Sequence, residues 1–458
     1  MHFFFDRQDF RKKLSLLLIA VLVALPVFSS NARAGGIIRD AETEKLIREY
    51  ARPIFKAAGL YGQNVKIHII GSGSFNAFVI DGQNMFIHTG AIVNSKAPNQ
   101  LIGVIAHETG HITGGHLASL RSQLKKAQTA SLMFQILSIA AMIGGAATGN
   151  QYGQAGGAAM QGGNLMLQKQ LLAGRRIKES SADRAAVTFL NATHQSAKGM
   201  LQTFEYFMSQ SRGSLRQINP YLQSHPLPPQ RIEQLRDLAA RSPYFRKLDP
   251  PALQFRHDMV KAKLIAFLDK PRTVLNIYGR RNKSLPARYA RAIAYYKKSG
   301  LKAFLPRINA LIKDRPTNPF LYEIKGQFLF EGGRPSTAVR PLRKAVSLAP
   351  KEPLIRILLA QALLSSGDDL FVSEAIRHLR KALGREKHNA AAYRQLAQAY
   401  GRKRKISKAE LASAQAYFYE GKLSLAKQQA KRAKKKIKQG SAGWLIADDI
   451  LKFQRPQR

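Results

Sequence analysis

His107, Glu108 and His111 sit within five consecutive residues and are the side chains best placed to do chemistry. They lie in the run Val104-Ile105-Ala106-His107-Glu108-Thr109-Gly110-His111-Ile112, which reads as helix. On a helix, positions i and i+4 share one face, so both imidazoles can address a single metal ion. Glu108 follows His107 directly, which leaves its carboxylate beside the metal as a base for the water that zinc activates. Apolar Ile102, Val104, Ile105 and Ile112 imply that the helix is buried. A buried ionisable pair needs a partner, and a metal ion is one.

A catalytic zinc keeps three protein ligands. In the longer histidine form of this motif the third ligand stands six residues beyond His111, but that position is Leu117, with His116 one residue out of register. Glu179 is the better candidate, on a downstream helical stretch with Asp183 four residues later on the same face. Glu179 would bind the metal, and Asp183 would accept the outer N–H of an imidazole and set its tautomer. Taken alone, the pair could equally be a solvated acidic patch on a basic helix. Upstream, Ala77-Phe78-Val79-Ile80 and Met85-Phe86-Ile87-His88 flank an Asp81-Gly82 turn, a strong hairpin signal. Asn76, Ala77 and Phe78 are the candidates for an edge strand that takes substrate as an added strand. His116, His68 and His88 read as structural.

The elements that must position these groups are mostly helical. Asp40 can cap a helix carrying Leu46, Ile47, Tyr50, Ile54 and Phe55 and ending near Gly59. Val65 to Ile69 alternates like a strand. The motif helix should run from about Asn99 to Leu120, and a second long helix from about Leu165 to Leu190, with Asn191 as C-cap. Another helix covers Ala197 to Gln210, followed by the proline-rich His225-Pro226-Leu227-Pro228-Pro229. Between them, Ala127 to Gln168 holds no charged residue in a chain that is 22% charged. It reads as a packed cap, a flap touching membrane or partner, or a span interrupted by polar residues and glycine.

Beyond Pro250-Pro251 the chain repeats. Tyr289, Tyr295, Gly300 and Pro316 recur as Tyr322, Phe328, Gly333 and Pro350, at intervals of 33, 33, 33 and 34 residues. Leu358, Gly367, Ala375, Leu379 and Ala382 outline a third unit, and Leu411 to Tyr419 with Leu423 to Ala433 form a last pair around Gly421. Small residues at helix crossings, a turn glycine and a proline after the second helix suggest three or four tetratricopeptide-like units stacked as a solenoid.

At the N-terminus, Arg7, Arg11, Lys12 and Lys13 precede an apolar run from Leu14 to Phe28 and the small-x-small Ala32-Arg33-Ala34. That is the form of a cleaved export signal. The chain has no cysteine, so neither disulfides nor a thiol-linked lipid can occur. Its formal charge of +45 favours anionic partners. Export argues against nucleic acid and leaves an anionic membrane surface available. The densely basic segment 401–458 lacks an aromatic platform or groove-reading motif.

Taken together, His107-Glu108-x-x-His111, Glu179-x-x-Ala182-Asp183, the Asn76-Ala77-Phe78 strand and the later His225-Pro226 resemble the gluzincin family of HtpX and the prenyl-protein endopeptidases. An export signal and C-terminal repeats make the chain similar to the periplasmic branch of that family. The resemblance implies one Zn2+ per chain and an α+β fold. A mostly helical metallopeptidase domain with a small β-sheet would be followed by an all-α tetratricopeptide-like solenoid. The expected division is a signal peptide at 1–34, the peptidase domain at 35–245, a helical linker at 246–285 and repeats at 286–458. The implied activity is endoproteolysis in envelope quality control, on unfolded or misassembled outer-membrane proteins. The repeats would dock on the assembly machinery, with chaperone-like activity besides. The alternative is a proteolytically silent scaffold. His225 or Arg231 could stabilise the oxyanion, or His225 could occupy the open metal position and hold the site latent.

Overall fold

The structure, a computed structural model, describes residues 36–62, 65–120, 122–123, 151–211 and 220–454, without the side chains of 151–171 and 210–211. The expected export signal and positions 127–150 of the uncharged stretch lie outside the described residues.

Two short stretches of alternating sequence and a hairpin make one sheet of four strands: β1 (Ile37–Ile38), β2 (Lys66–Ile70), β3 (Ala77–Ile80) and β4 (Asn84–His88). The order is β1-β2-β4-β3. β2 is parallel to β4, with Ile67 opposite Met85. β3 is antiparallel to β4, with Ala77 opposite Ile87, and stands at an edge. Asp81 and Gly82, at φ 56° and 68°, turn the hairpin as their types allow. Met85 and Ile87, two residues apart, share the face that enters the core.

Helix α1 (Ala41–Ala57) begins where the Asp40 carboxylate accepts from the Thr43 backbone N–H at 2.8 Å. Its Ile47, Tyr50 and Ile54 are fully buried, each contributing about 1.5–3 kcal/mol of transfer free energy. A short α2 (Thr89–Asn94) leads to α3 (Pro98–Thr113), which carries the motif and is buried on nearly every side from Pro98 to Gly110. Glycines let its neighbours come close. A Cβ on Gly103 would stand 2.6 Å from Met200 Cβ, and one on Gly110 would stand 2.8 Å from the Ala182 carbonyl. Asn99 ties the start of α3 down, donating to Ser196 O at 2.5 Å and accepting from Gly199 N at 2.7 Å.

The motif helix is shorter than its sequence suggests. It stops at Thr113, because Gly114 and Gly115 (φ 59°) turn the chain, and 116–120 is a separate helical segment. Helix α4 (Gln151–Ala192) is longer than expected and begins inside the uncharged stretch. It is followed by α5 (Lys198–Ser211), α6 (Pro220–Ser224) and α7 (Pro229–Ala240). Asn191 lies within α4 rather than at its cap, and His194 takes the positive φ of 55°. These elements and the sheet share one core.

Next come α8 (Pro251–Leu268) and α9 (Pro271–Ile277). Val260 and Leu264 of α8 belong to that first core, while Met259, Ala262 and Ile265 belong to a second core with the first repeat. The repeats follow as α10 (Leu285–Asp314), α11 (Pro319–Glu331), α12 (Pro335–Leu348), α13 (Pro353–Ser365), α14 (Val372–Leu383), α15 (Ala390–Arg402), α16 (Ile406–Tyr419), α17 (Leu423–Lys436) and α18 (Ala442–Lys452). Helix α10 is itself a hairpin, broken at Gly300. Gly300, Gly333, Gly367 and Gly421 all turn at positive φ, between 69° and 84°. The pair expected last, α16 with α17, is present, but α16 also packs against α15 across a turn carried by Arg404 at φ 54°. Among the described residues, no helix is long and apolar enough to cross a membrane.

Candidate metal centre

Helix α3 sets His107 and His111 one turn apart. Helix α4 runs alongside and presents Glu179 and Asp183. The segment between α6 and α7 brings in His225, whose ring stacks on Tyr221 with centroids 4.7 Å apart. One donor atom from each of His107, His111, Glu179 and His225 falls within 4.8 Å of the others. His107 Nε2 is 3.1 Å from His111 Nε2, 3.3 Å from His225 Nδ1 and 3.3 Å from Glu179 Oε2. His225 Nδ1 is 3.1 Å from Glu179 Oε2, and His111 Nε2 is 3.4 Å from Glu179 Oε1. Donors 2.0–2.1 Å from a tetrahedral centre stand about 3.3–3.4 Å apart, close to these separations of the imidazole nitrogens and the Glu179 carboxylate. Two imidazole Nε2 atoms turned on each other can share one proton, and a cation between them would serve both as bare acceptors.

Glu108 lies beside this set, 1% exposed, and its Oε1 has no hydrogen-bond partner among the described residues. Burial pushes its carboxyl up to about 7, against the pull of His107 and His111. His225 Nε2 is 3.4 Å from that oxygen and is likewise unpartnered. An orphaned carboxylate oxygen here is costly unless a water or substrate proton meets it.

Asp183 stands behind His107, with Oδ1 2.9 Å from Nδ1. Arg231, 4% exposed in the first turn of α7, donates to both Asp183 oxygens at 2.5 and 2.9 Å. Its Nη1 lies 2.9 Å from Glu179 Oε2 and donates to Pro226 O. Burial opposes ionisation of Asp183, but the guanidinium holds its carboxyl below the usual range. The Glu179 carboxyl is also held down despite burial, by hydrogen bonds from His107, His111 and His225. Despite the opposing effect of burial, Asp183 and Glu179 raise His107 to about 9. Arg231, expected as an oxyanion stabiliser, makes contacts with both Asp183 oxygens, Glu179 Oε2 and Pro226 O.

A cleft of about 340 Å³ opens onto the cluster between Phe78, Val79, Glu108, His111, His116 and His225. Of the three edge-strand candidates only Phe78 lines it; Asn76 and Ala77 are buried behind. Sequence reasoning set His116 aside, yet its Nδ1 is 2.9 Å from His111 Nδ1. Burial and neighbouring His111 lower His116 to about 4, so it meets His111 as a neutral ring. The glycine pair before it was the available signal, since it swings His116 back over the helix end. Arg175 and Lys178, on the turns of α4 that precede Asp183, also line the cleft and were missed. His68 and His88 bond locally, to Asn84 and Ser74.

The non-ligand positions of the two motifs touch. Gly110, between His107 and His111, meets Ala182, between Glu179 and Asp183.

Residues 39–239 match the sequence model of Peptidase family M48. The chain is 28% identical over 260 residues to the putative beta-barrel assembly-enhancing protease of Vibrio cholerae serotype O1, covering 54% of this chain and 50% of the relative. It is 24% identical over 308 residues to the beta-barrel assembly-enhancing protease of Escherichia coli (strain K12), covering 65% and 60%. The chain thus spans about half to three fifths of the length of these relatives. Among solved structures, "YrrB: a TPR protein with an unusual peptide-binding site" is similar over 38% of this chain and 91% of its own, at 19% identity and a TM-score of 0.32.

Proposed function

We propose, from the premise that residues 39–239 are a Peptidase family M48 domain, that this chain is a zinc-dependent endopeptidase. The observation that carries the reading is four donors converging within 4.8 Å of one another, with an unpartnered Glu108 oxygen beside them. His107, His111 and Glu179 would hold the ion, and Asp183 would hold the His107 tautomer. Bound there, zinc supplies Lewis acidity and acidifies water. Glu108 takes a proton from water in the cleft and returns it to the leaving amine. The outer edge of β3, beside the cleft at Val79, offers main-chain groups to an extended segment without regard to its sequence. That suits unfolded polypeptides.

His225 completes the donor set, and the proposal gives it the latent role. A side chain in the fourth position excludes substrate until the segment between α6 and α7 withdraws it. His225→Ala should then raise cleavage; a fall would show that it assists instead.

The names of the relatives, the expected export signal and the C-terminal repeats support a periplasmic role in outer-membrane protein quality control. In this reading, residues 35–245 cleave misassembled outer-membrane proteins. The segment 246–285 joins them to repeats 286–458, which dock on the assembly machinery and give chaperone-like holding. The experiment is zinc per purified chain, then cleavage of unfolded casein by wild type and by Glu108→Gln. About one zinc and a loss of about 10²–10⁴-fold in the variant are expected. Equal activity in both would leave the scaffold reading.

A further inference from the structure

A second cleft, of about 560 Å³, lies where α1, α8 and the turn before α11 meet, and shares no lining residue with the first. Its floor is apolar: Leu46, Met259 and Val260 are 3%, 2% and 1% exposed, with the rings of Phe255 and Phe320 beside them. Two cations stand over those rings. Lys45 Nζ is 5.6 Å from the Phe320 centroid, and the Arg315 guanidinium carbon is 5.3 Å from that of Phe255. Neither has a carboxylate partner among the described residues, whereas Arg256 on the same wall is paired with Glu49. The other acid at the cleft, Glu42, is buried and turned toward Lys263. A cation lying on a ring face keeps N–H donors for a further partner. Thr317 and Asn318 complete the wall with polar side chains.

We propose that this cleft binds the C-terminus of a polypeptide whose last residue is large and apolar. The terminal carboxylate pairs with Arg315 and Lys45, Arg315 offering a two-pronged contact. The last side chain lies on Leu46, Met259 and Val260, and the last amide meets Thr317 and Asn318. An internal segment would bring a carboxylate only through an acidic side chain placed beside its apolar one. An acyl chain with an acidic head would satisfy the cations and floor but make no hydrogen bond to Thr317 or to the amide N–H groups of Asn318, whose Oδ1 caps α11. The site goes beyond the proposed peptidase activity. It would grip a polypeptide by its end, away from the bond to be cut.

The test uses the full chain carrying Glu108→Gln, so that nothing is cleaved, and fluorescence anisotropy of N-terminally labelled Gly-Gly-Ser-Gly-Phe. The free acid should bind, and its C-terminal amide about tenfold more weakly or worse. Arg315→Ala with Lys45→Ala should lose the acid to the same extent, while Arg315→Lys, which keeps the charge, retains part of it. Lys344→Ala, outside the cleft, serves as the surface control, and thermal unfolding confirms that each variant is folded. Equal binding of acid and amide, or undiminished binding by the double variant, would overturn the proposal. So would palmitate displacing the label as well as unlabelled peptide does, since that places a lipid in the cleft. A chelator should leave binding unchanged, so failure here and failure of the zinc reading are separable.

Discussion

Two buried clusters of ionisable groups organise this protein, and they differ in what balances their charge. Around His107 the carboxylates Glu108, Glu179 and Asp183 have one guanidinium, Arg231, and three imidazoles whose nitrogens converge on a point. Around Lys263, 2% exposed on α8, the ammonium itself occupies the centre. It lies 2.5 Å from Asp40, 3.4 Å from Glu42 and 4.0 Å from Glu323. There the surplus negative charge is met by protons: burial raises Glu42 to about 7 and Glu323 to about 8. Burial alone therefore does not mark a metal site. What marks it is convergence of donors without a resident cation in the middle, opening on a cleft.

The sharpest way to break this comparison is to remove one group from each cluster. Glu179→Ala should lose most of its metal and its cleavage activity while remaining folded, as metal analysis and circular dichroism would show. Lys263→Met removes the cation from half-buried Asp40 and from buried Glu42 and Glu323, and should cost about 3–5 kcal/mol in urea unfolding, with zinc per folded chain unchanged. A loss of zinc in the Lys263 variant would mean the clusters are coupled. A smaller effect is expected at Asp183→Ala, which should weaken zinc about 10–100-fold in a chelator competition, because the His107 ring loses its support.

The smallest effect is a pH dependence belonging to the Lys263 cluster. Glu42 and Glu323 are raised above the ordinary carboxylate range, so the folded state holds more protons than the unfolded one between about pH 4.5 and 8. Their contribution is fully present below the unfolded value and is lost as pH rises through about 7 and about 8. Asp40, held low by Lys263 against the effect of burial, has the opposite sign, and its contribution fades only in acid. Glu42→Gln with Glu323→Gln should flatten the fall in unfolding free energy between pH 5 and 8, measured against wild type. An unchanged slope would place that titration elsewhere.

The parts that were legible in the sequence are those written in local spacing. His107 and His111 at i+4, Glu179 and Asp183 at i+4, the Asp81-Gly82 turn and the turn glycines of the repeats all appear as read. What was not legible depends on contacts across the chain. Nothing near Arg231 in sequence says that it reaches Asp183, 48 residues away. Helix α15 escaped the repeat pattern because Arg404, not glycine, carries its turn. The end of α3 was overrun because apolar period outweighed two adjacent glycines, and with it went the position of His116.

The contact between Gly110 and Ala182 has a consequence for how tightly the site holds an ion. Metal–ligand distances must hold to about 0.2 Å, and here the gap between the two ligand-bearing helices is set by a position with no side chain. That pair acts as a gauge block behind the donors. Adding one methyl group there would push the two helices apart and loosen the grip on the ion without touching a ligand.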